Sequence, residues 1–482
     1  MITKQDTNQH RNDRKKWWAF LGMSLGTLMF TLDTSIVNIA LPTLVRAFKT
    51  SFATAELVVV SYLLVITSLL LGAARLGDIW GKKRLYLLGL VIFTIASLLC
   101  GLSPSIYFLI GFRVLQGLGA VFIAALGPAI VTEIFPSSQR GKALGIFASV
   151  VSVGIALGPT VGGFLIGFLS WRVIFFINVP IGFLAGYMIN RFVPKSKTRE
   201  GHGKFDVLGT VILIVTLVSF SVGMNLGQER GWNTQAVIIC GAIAIVGLIG
   251  FIIVETHITQ PILELGLLRN SQLALGLSTK LIVFIVLSGV VFILPFFLEQ
   301  VMEYSTQKTG LLLATAPVLG GIFAPLAGIL SDRFGSRIIT LLGLIMITIG
   351  CYCLSTFDAQ MSDLGYIARI APFGIGLGIF QAPNNSAVMG EAPEDKMGVV
   401  SGLLALSRTF GQTIGVPIMG SLLVAFTSGM ASGQAAEIIS ASTTALVSGV
   451  KSTFLVATAI VGVGIIAALF ELKQHVVGGK NS

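Results

Sequence analysis

Charge is scarce in this sequence: Asp, Glu, Lys and Arg make up 11% of 482 residues, against roughly 25% in soluble domains. So few charges cannot build a water-facing surface, which excludes an ordinary soluble enzyme or binding domain. The four cysteines, Cys100, Cys240, Cys351 and Cys353, all fall in apolar runs, and Cys351 and Cys353 point different ways on a helix. A disulfide framework and a CxxC centre are therefore excluded. The four histidines, His10, His202, His257 and His475, stand singly with no partner at metal-ligand spacing, so no metal site is expected. There is no Gly-x4-Gly-Lys-Ser/Thr loop, and no loop is long enough for a nucleotide-binding domain, so ATP is not the direct energy source. No grouping of nucleophile, base and orienting residue points to enzymatic chemistry.

What is present is apolar sequence. Hydrophobic residues make up 54% and glycines number 56, with a mean hydropathy of +0.90, a composition suited to closely packed helices in lipid. Runs long enough to cross about 30 Å of hydrocarbon predict helices near 17–44, 55–76, 85–103, 106–133, 141–168 and 171–193. Two more are predicted near 205–226 and 234–255, and a last six near 272–298, 309–331, 337–357, 362–390, 397–427 and 446–472. The expected fold is thus an all-α membrane protein of fourteen transmembrane helices. The basic N-terminus (Arg11, Arg14, Lys15, Lys16) leads into a run too long for a signal-peptide core, so it reads as a retained first span. The net charge of +11 does not imply nucleic acid, because most Lys and Arg cluster in alternate loops. By the positive-inside rule, both termini are expected to be cytoplasmic.

The chain repeats itself. Ala74-Arg-Leu-Gly-Asp78-Ile-Trp-Gly81-Lys82 follows the second span, and Gly328-Ile-Leu-Ser-Asp332-Arg333-Phe-Gly335 follows the tenth. Arg113 and Arg369 open two further similar segments, separated by nearly the same interval, a little over half the chain. That interval is too long for six helices, so the spans near 205–255 read as an insertion between two six-helix halves. The expected division is residues 1–194, an N-terminal half; 195–262, a basic linker (Lys195 to Lys204) with two inserted helices; and 263–482, a C-terminal half.

Several residues stand out on physical grounds. Asp33 lies near the middle of the first span, where a charge costs at least about 2.5–3.5 kcal/mol, so it must face a cavity, pair or stay protonated. It reads as a proton carrier, with an interhelical hydrogen bond as the structural alternative. Arg113 on the fourth span is its natural counterpart, unless it serves a structural ion pair or reaches the outer interface. Asn38, Gln116, Gln381, Arg408 and Gln412 are candidate substrate-cavity residues, though the same polar groups can act as helix-to-helix glue. Lys280 and Arg369 rank lower because each could reach an interface, and Pro42 could simply shape the end of the first helix. In the two loops, Gly81 and Gly335 supply sharp turns. Asp78 and Asp332 can hold helix-terminal amides or cations, and Lys82 and Arg333 suit lipid headgroups. Such loops read either as topology signals alone or as charge latches that break when the halves rock. Gly154, Gly158, Pro159, Gly162 and Gly163 give the fifth span a small residue about every turn and a proline expected to kink it.

Taken together, these residues resemble the major facilitator superfamily, and within it the fourteen-helix drug:proton antiporter branch. Leu32-Asp33-Thr34-Ser35-Ile36-Val37-Asn38-Ile39-Ala40-Leu41-Pro42 is similar to that branch's first-helix signature. Asp78, Gly81 and Lys82 match its gating loop, Arg113 and Gly117 its fourth-helix proton-transfer motif, and Gly154 to Gly163 its antiporter motif. The stretch from Ser170-Trp171-Arg172 through Asn178-Val-Pro180-Ile-Gly182 resembles the entry to the sixth helix of fourteen-helix members. Ala74, Ile79 and Ser35 depart from the usual Gly, Arg and Thr.

The resemblance implies proton-coupled efflux of amphipathic drugs, cationic or neutral, by alternating access, with protonation at Asp33. The expected cofactor is none beyond the proton as coupling ion. The expected partners are a small-molecule substrate and the lipid bilayer, with no nucleic acid, and the chain is expected to be a monomer in a bacterial inner membrane. The rival expectations are a transporter of a native metabolite, lipid or nutrient on the same fold, and a membrane sensor that does not turn over.

Overall fold

Lipid offers the backbone no hydrogen bonds, so each apolar run must close its own as a helix. The computed structural model describes residues 4–194, 206–258, 265–393, 396–428 and 442–478. It contains fourteen helices long and apolar enough to cross a membrane, and no strand among the described residues. They are α1 (Lys15–Phe48), α2 (Phe52–Trp80), α3 (Lys82–Gly101), α4 (Ile106–Ile134), α5 (Ala143–Phe168), α6 (Val173–Phe192), α7 (Val207–Arg230) and α8 (Gln235–His257). The rest are α9 (Ser271–Val301), α10 (Thr306–Phe334), α11 (Ser336–Leu354), α12 (Asp363–Gly390), α13 (Val399–Thr427) and α14 (Thr443–Ile466). The basic stretch Lys195 to Lys204 and the expected boundary at 262/263 lie outside the described residues.

Helix ends differ from the expected ones for local reasons. α2 begins earlier than its apolar run because the Ser51 hydroxyl caps it, accepting from the Thr54 amide at 3.0 Å. α1 runs through Pro42 to Phe48, so Pro42 does not end it. α6 opens as a single turn, Val173–Phe176, and resumes at Asn178. α9 ends in a wide π-type turn, Phe297–Val301, just after Pro295, where the missing proline amide loosens the ladder. α10 is interrupted at Ala314.

Within the first half, α4 packs on α2 and α3, and α1 on α5 and α6; within the second, α12 packs on α10 and α11, and α9 on α13 and α14. The halves meet where α2 lies on α13 and α5 on α10. α7 sits in the α2–α13 seam, touching both halves, whereas α8 packs on α7 and turns an exposed apolar face (Ile245, Val246, Ile253) outward. The inserted pair is thus one wedge helix and one lipid-facing helix.

Glycine lets these helices approach closely. At Gly89, on α3, an added Cβ would fall 2.8 Å from the Gly119 carbonyl of α4, and at Gly376 an added Cβ would fall 2.6 Å from the Ile347 amide of α11. Backbone cannot move aside cheaply, and overpacking costs typically 1–3 kcal/mol. Gly376→Ala is expected to lower the melting temperature of the detergent-purified protein by several degrees. Gly250→Ala on α8, where nothing lies within 4 Å, is expected to leave it unchanged; equal melting temperatures would refute this packing account.

Candidate functional site

Asp33, on α1, is fully enclosed in the first half. Arg113 Nη1, from α4, donates to its Oδ2 at 2.6 Å. Its Oδ1 accepts from Gln116 Nε2 (α4) at 2.9 Å and from Asn178 Nδ2 (α6) at 3.0 Å. Arg113 is itself 1% exposed. Its Nε donates to the Val58 carbonyl of α2 at 3.1 Å, Nη1 also reaches Gln116 Oε1 at 2.6 Å, and the guanidinium lies 3.9 Å over the Tyr62 ring. Ser97, on α3, accepts from Gln116 at 2.7 Å and from Asn178 at 3.4 Å. Five helices therefore converge on one carboxylate. Of the ways Asp33 could be accommodated, the structure adopts pairing, with hydrogen bonds to both oxygens as buried ions require.

The proposed cavity residues are not gathered in one place. Gln116 belongs to the Asp33 network, and Asn38 turns its amide back onto the Thr34 carbonyl of its own helix at 3.1 Å. Gln381 is exposed on α12, and Arg408 and Gln412 are half-buried on α13, one turn apart. Lys280 is buried on α9, and its Nζ donates to Asn385 Oδ1 at 2.7 Å. Arg369 stays local, bonded to Thr356 and to the Gly365 carbonyl.

The two loops hold matching ion pairs. Gly81 and Gly335 both adopt positive φ, 92° and 89°, which only glycine does readily. Lys82 pairs with Asp78 at 2.8 Å and with Glu133, at the end of α4, at 2.7 Å. In the second copy Arg337 pairs with Glu391, which follows α12, at 2.6 Å and also bonds Gln272 of α9. Asp332 and Arg333 are exposed. Each of these pairs ties helices of one half together and does not cross between halves.

Contacts that do cross between halves cluster at the end carrying the α1–α2 and α9–α10 turns. Arg46, near the end of α1, pairs with Glu299 of α9 at 2.6 Å, and the Phe52 ring stacks edge-on against Phe292 and Phe296, 4.8 and 4.7 Å between centroids. Gly154, Gly158 and Gly162 seat α5 on Thr31, Ser35 and Ile36 of α1, while an added Cβ at Gly163 would fall 2.7 Å from the Thr306 carbonyl of α10. The small-residue stripe thus serves two neighbours, α1 and α10. α5 runs unbroken through Pro159, whose carbonyl faces Gly310. Deeper in the seam, Thr67 of α2 and Thr413 of α13 are 2.7 Å apart.

Asn178 as a partner of Asp33, and Ser97 and Tyr62 as members of the network around it, are not legible in the sequence. Asn178 carried a signal in the run at the start of α6, but nothing in its spacing points to α1. Glu56 was missed as well. It is buried on α2, accepts from Gln228 Nε2 of α7 at 3.1 Å, and Gln228 in turn reaches Ser421 of α13 at 3.0 Å. Glu56 lies at the edge of an apolar run, and α7 covers it.

The Major Facilitator Superfamily model matches residues 23–416. Among curated proteins, the riboflavin transporter RibZ of Clostridioides difficile is 32% identical over 461 residues, 96% of this chain and 98% of that protein. The multidrug resistance protein Stp of Mycobacterium tuberculosis is 32% identical over 417 residues, 86% of this chain and 77% of that protein. Among solved structures, an inward-facing, unoccupied bacterial homolog of the human lysosomal transporter Spinster superposes with a TM-score of 0.68 at 16% identity, covering 95% of this chain and 98% of that one. With its helices in this arrangement and the family's sequence pattern across most of its length, the chain belongs to the Major Facilitator Superfamily.

Proposed function

We propose that this transporter exports amphipathic small molecules in exchange for inward-moving protons, with Asp33 as the proton site. The observation carrying this reading is the carboxylate of Asp33 enclosed in the first half and joined to Arg113 at 2.6 Å. A proton arriving there would leave Arg113 as an uncompensated buried cation, and breaking one side of such a pair costs about 3–5 kcal/mol. That approaches the roughly 5.5 kcal/mol that carries a two-state equilibrium from one conformation almost wholly to the other. The route from proton to gate runs along α1: Asp33 shares its helix with Thr31, Ser35 and Ile36, which seat α5, and α5 in turn closes on α10.

In this reading both termini are cytoplasmic, and the end closed by Arg46–Glu299 and the phenylalanine cluster is the outer one. The potential contributes about 2.3 kcal/mol per charge per 100 mV, more than the 1.4 kcal/mol of a tenfold gradient. A second reading, transport of a native metabolite, is supported by the likeness to a riboflavin transporter over nearly its whole length. Riboflavin accumulation in right-side-out vesicles, absent from inside-out ones, would favour it over export.

Asp33→Asn is expected to abolish proton-driven dye accumulation in inside-out vesicles, with Asp33→Glu retaining part of it; unchanged transport in the Asn variant would end the role assigned to Asp33. Arg46→Glu is expected to slow turnover several-fold by opening the outer closure. The exchange Arg46→Glu with Glu299→Arg should restore it, giving a coupling of about 1 kcal/mol in a double-mutant cycle. Additive effects would place the pair outside the gate.

A further inference from the structure

We propose that Lys280 and Arg408 form a seat for an anionic group in the second half, so that the cargo is an amphipathic acid. The proposal rests on the transporter reading and names the cargo's chemical class.

Several cations among the described residues are matched by a carboxylate. Arg113 holds Asp33, Arg46 holds Glu299, Lys82 holds Asp78 and Glu133, Arg337 holds Glu391 and Lys308 holds Asp363. Lys280 and Arg408 differ from these. Lys280 is 7% exposed and meets only a neutral amide, Asn385 Oδ1. Arg408 reaches across the α9–α13 contact to within 5.7 Å of the Phe284 ring, one turn from Lys280, and Arg408 Nε is buried with no hydrogen-bond partner. Among the described residues no carboxylate pairs with either side chain. Two like charges withdrawn from water without an anion are unstable, and an anion between them relieves both the repulsion and the orphaned donor.

The placement suits a ligand that enters from water. Lys280 lies nine residues along α9 from Ser271 and Arg408 eleven residues along its helix from Met397, about 14 and 17 Å along helices that start at the same end of the bundle. They are therefore at one level. Gln381, one turn before Asn385 on α12, is exposed, and Gln412, one turn beyond Arg408, is half-buried. An amide exposed at membrane depth lines water-filled space and does not face lipid, so in this reading Gln381 sets water beside the seat. Phe284, one turn beyond Lys280 and buried, lies 5.7 Å from the Arg408 guanidinium and backs the pair from the protein side. A proton moving in and an anion moving out carry charge in the same sense, so the membrane potential drives both.

Two xanthene dyes of opposite charge, 5-carboxyfluorescein and rhodamine 6G, test this by fluorescence anisotropy with the full-length protein in phosphatidylcholine nanodiscs. Carboxyfluorescein is expected to bind about tenfold more tightly than rhodamine 6G, and Lys280→Gln and Arg408→Gln are each expected to weaken it about tenfold, the size of one charged hydrogen bond. Lys280→Arg should keep it, and rhodamine binding should not fall in any variant. Tighter binding of rhodamine 6G, or carboxyfluorescein binding unmoved in both Gln variants with circular dichroism and gel filtration unchanged, would overturn the proposal. So would competition by phosphatidylglycerol that raises the carboxyfluorescein Kd in the native protein but not in Lys280→Gln, since it would assign the seat to a lipid headgroup. Equilibrium binding needs no proton coupling. Failure of the exchange reading would therefore appear as absent proton-driven flux with this binding intact.

Discussion

A buried charge must be met within hydrogen-bond distance or be lost to its desolvation cost, and the pairing of Asp33 with Arg113 is where this protein meets that demand most completely. The pair draws in Gln116, Asn178, Ser97, the Val58 carbonyl and the face of Tyr62. It thereby fixes how α1, α2, α3, α4 and α6 sit around one another. The first half is organised around a single carboxylate, and any change in its charge is felt by five helices at once.

The second half obeys the same rule differently. Its loop cation, Arg337, is matched by Glu391, as Lys82 is by Glu133 in the first half, so the duplication extends to ion pairs that no local motif joins. In its interior no acid stands opposite Lys280 and Arg408 among the described residues. One half thus closes its buried charge internally, and the other keeps positive charge without a paired carboxylate. That asymmetry suits a machine in which one half reads the proton and the other meets the cargo. Between them α7 bridges the seam through Gln228, which touches Glu56 of one half and Ser421 of the other.

The two-sided use of small residues explains how the halves can stay in contact and still be separable. Gly154, Gly158 and Gly162 bind α5 to its own half, and Gly163 meets α10 of the other. Cross-half contacts at that end include an ion pair, a phenylalanine cluster and backbone apposed to backbone. Such contacts exclude water without a large interlocked surface, which makes their opening cheap.

The helices, their number and the repeat were legible in the chain itself, because crossing hydrocarbon requires some twenty apolar residues and a duplicated turn needs the same glycine, as Gly81 and Gly335 show by their positive φ. Asp33 and Arg113 were legible as candidates because a lone charge in a span demands a reason. What only the tertiary structure decided is who answers whom. Asp33 finds its partners on two other helices and, through them, on two more, Glu56 is hidden by a helix more than 150 positions downstream, and Gln116, a candidate cavity residue by sequence, bonds Asp33. Apolar periodicity records that a side chain is buried, but the partners of a buried charge are set by how helices cross, and that geometry is written in no single stretch of sequence.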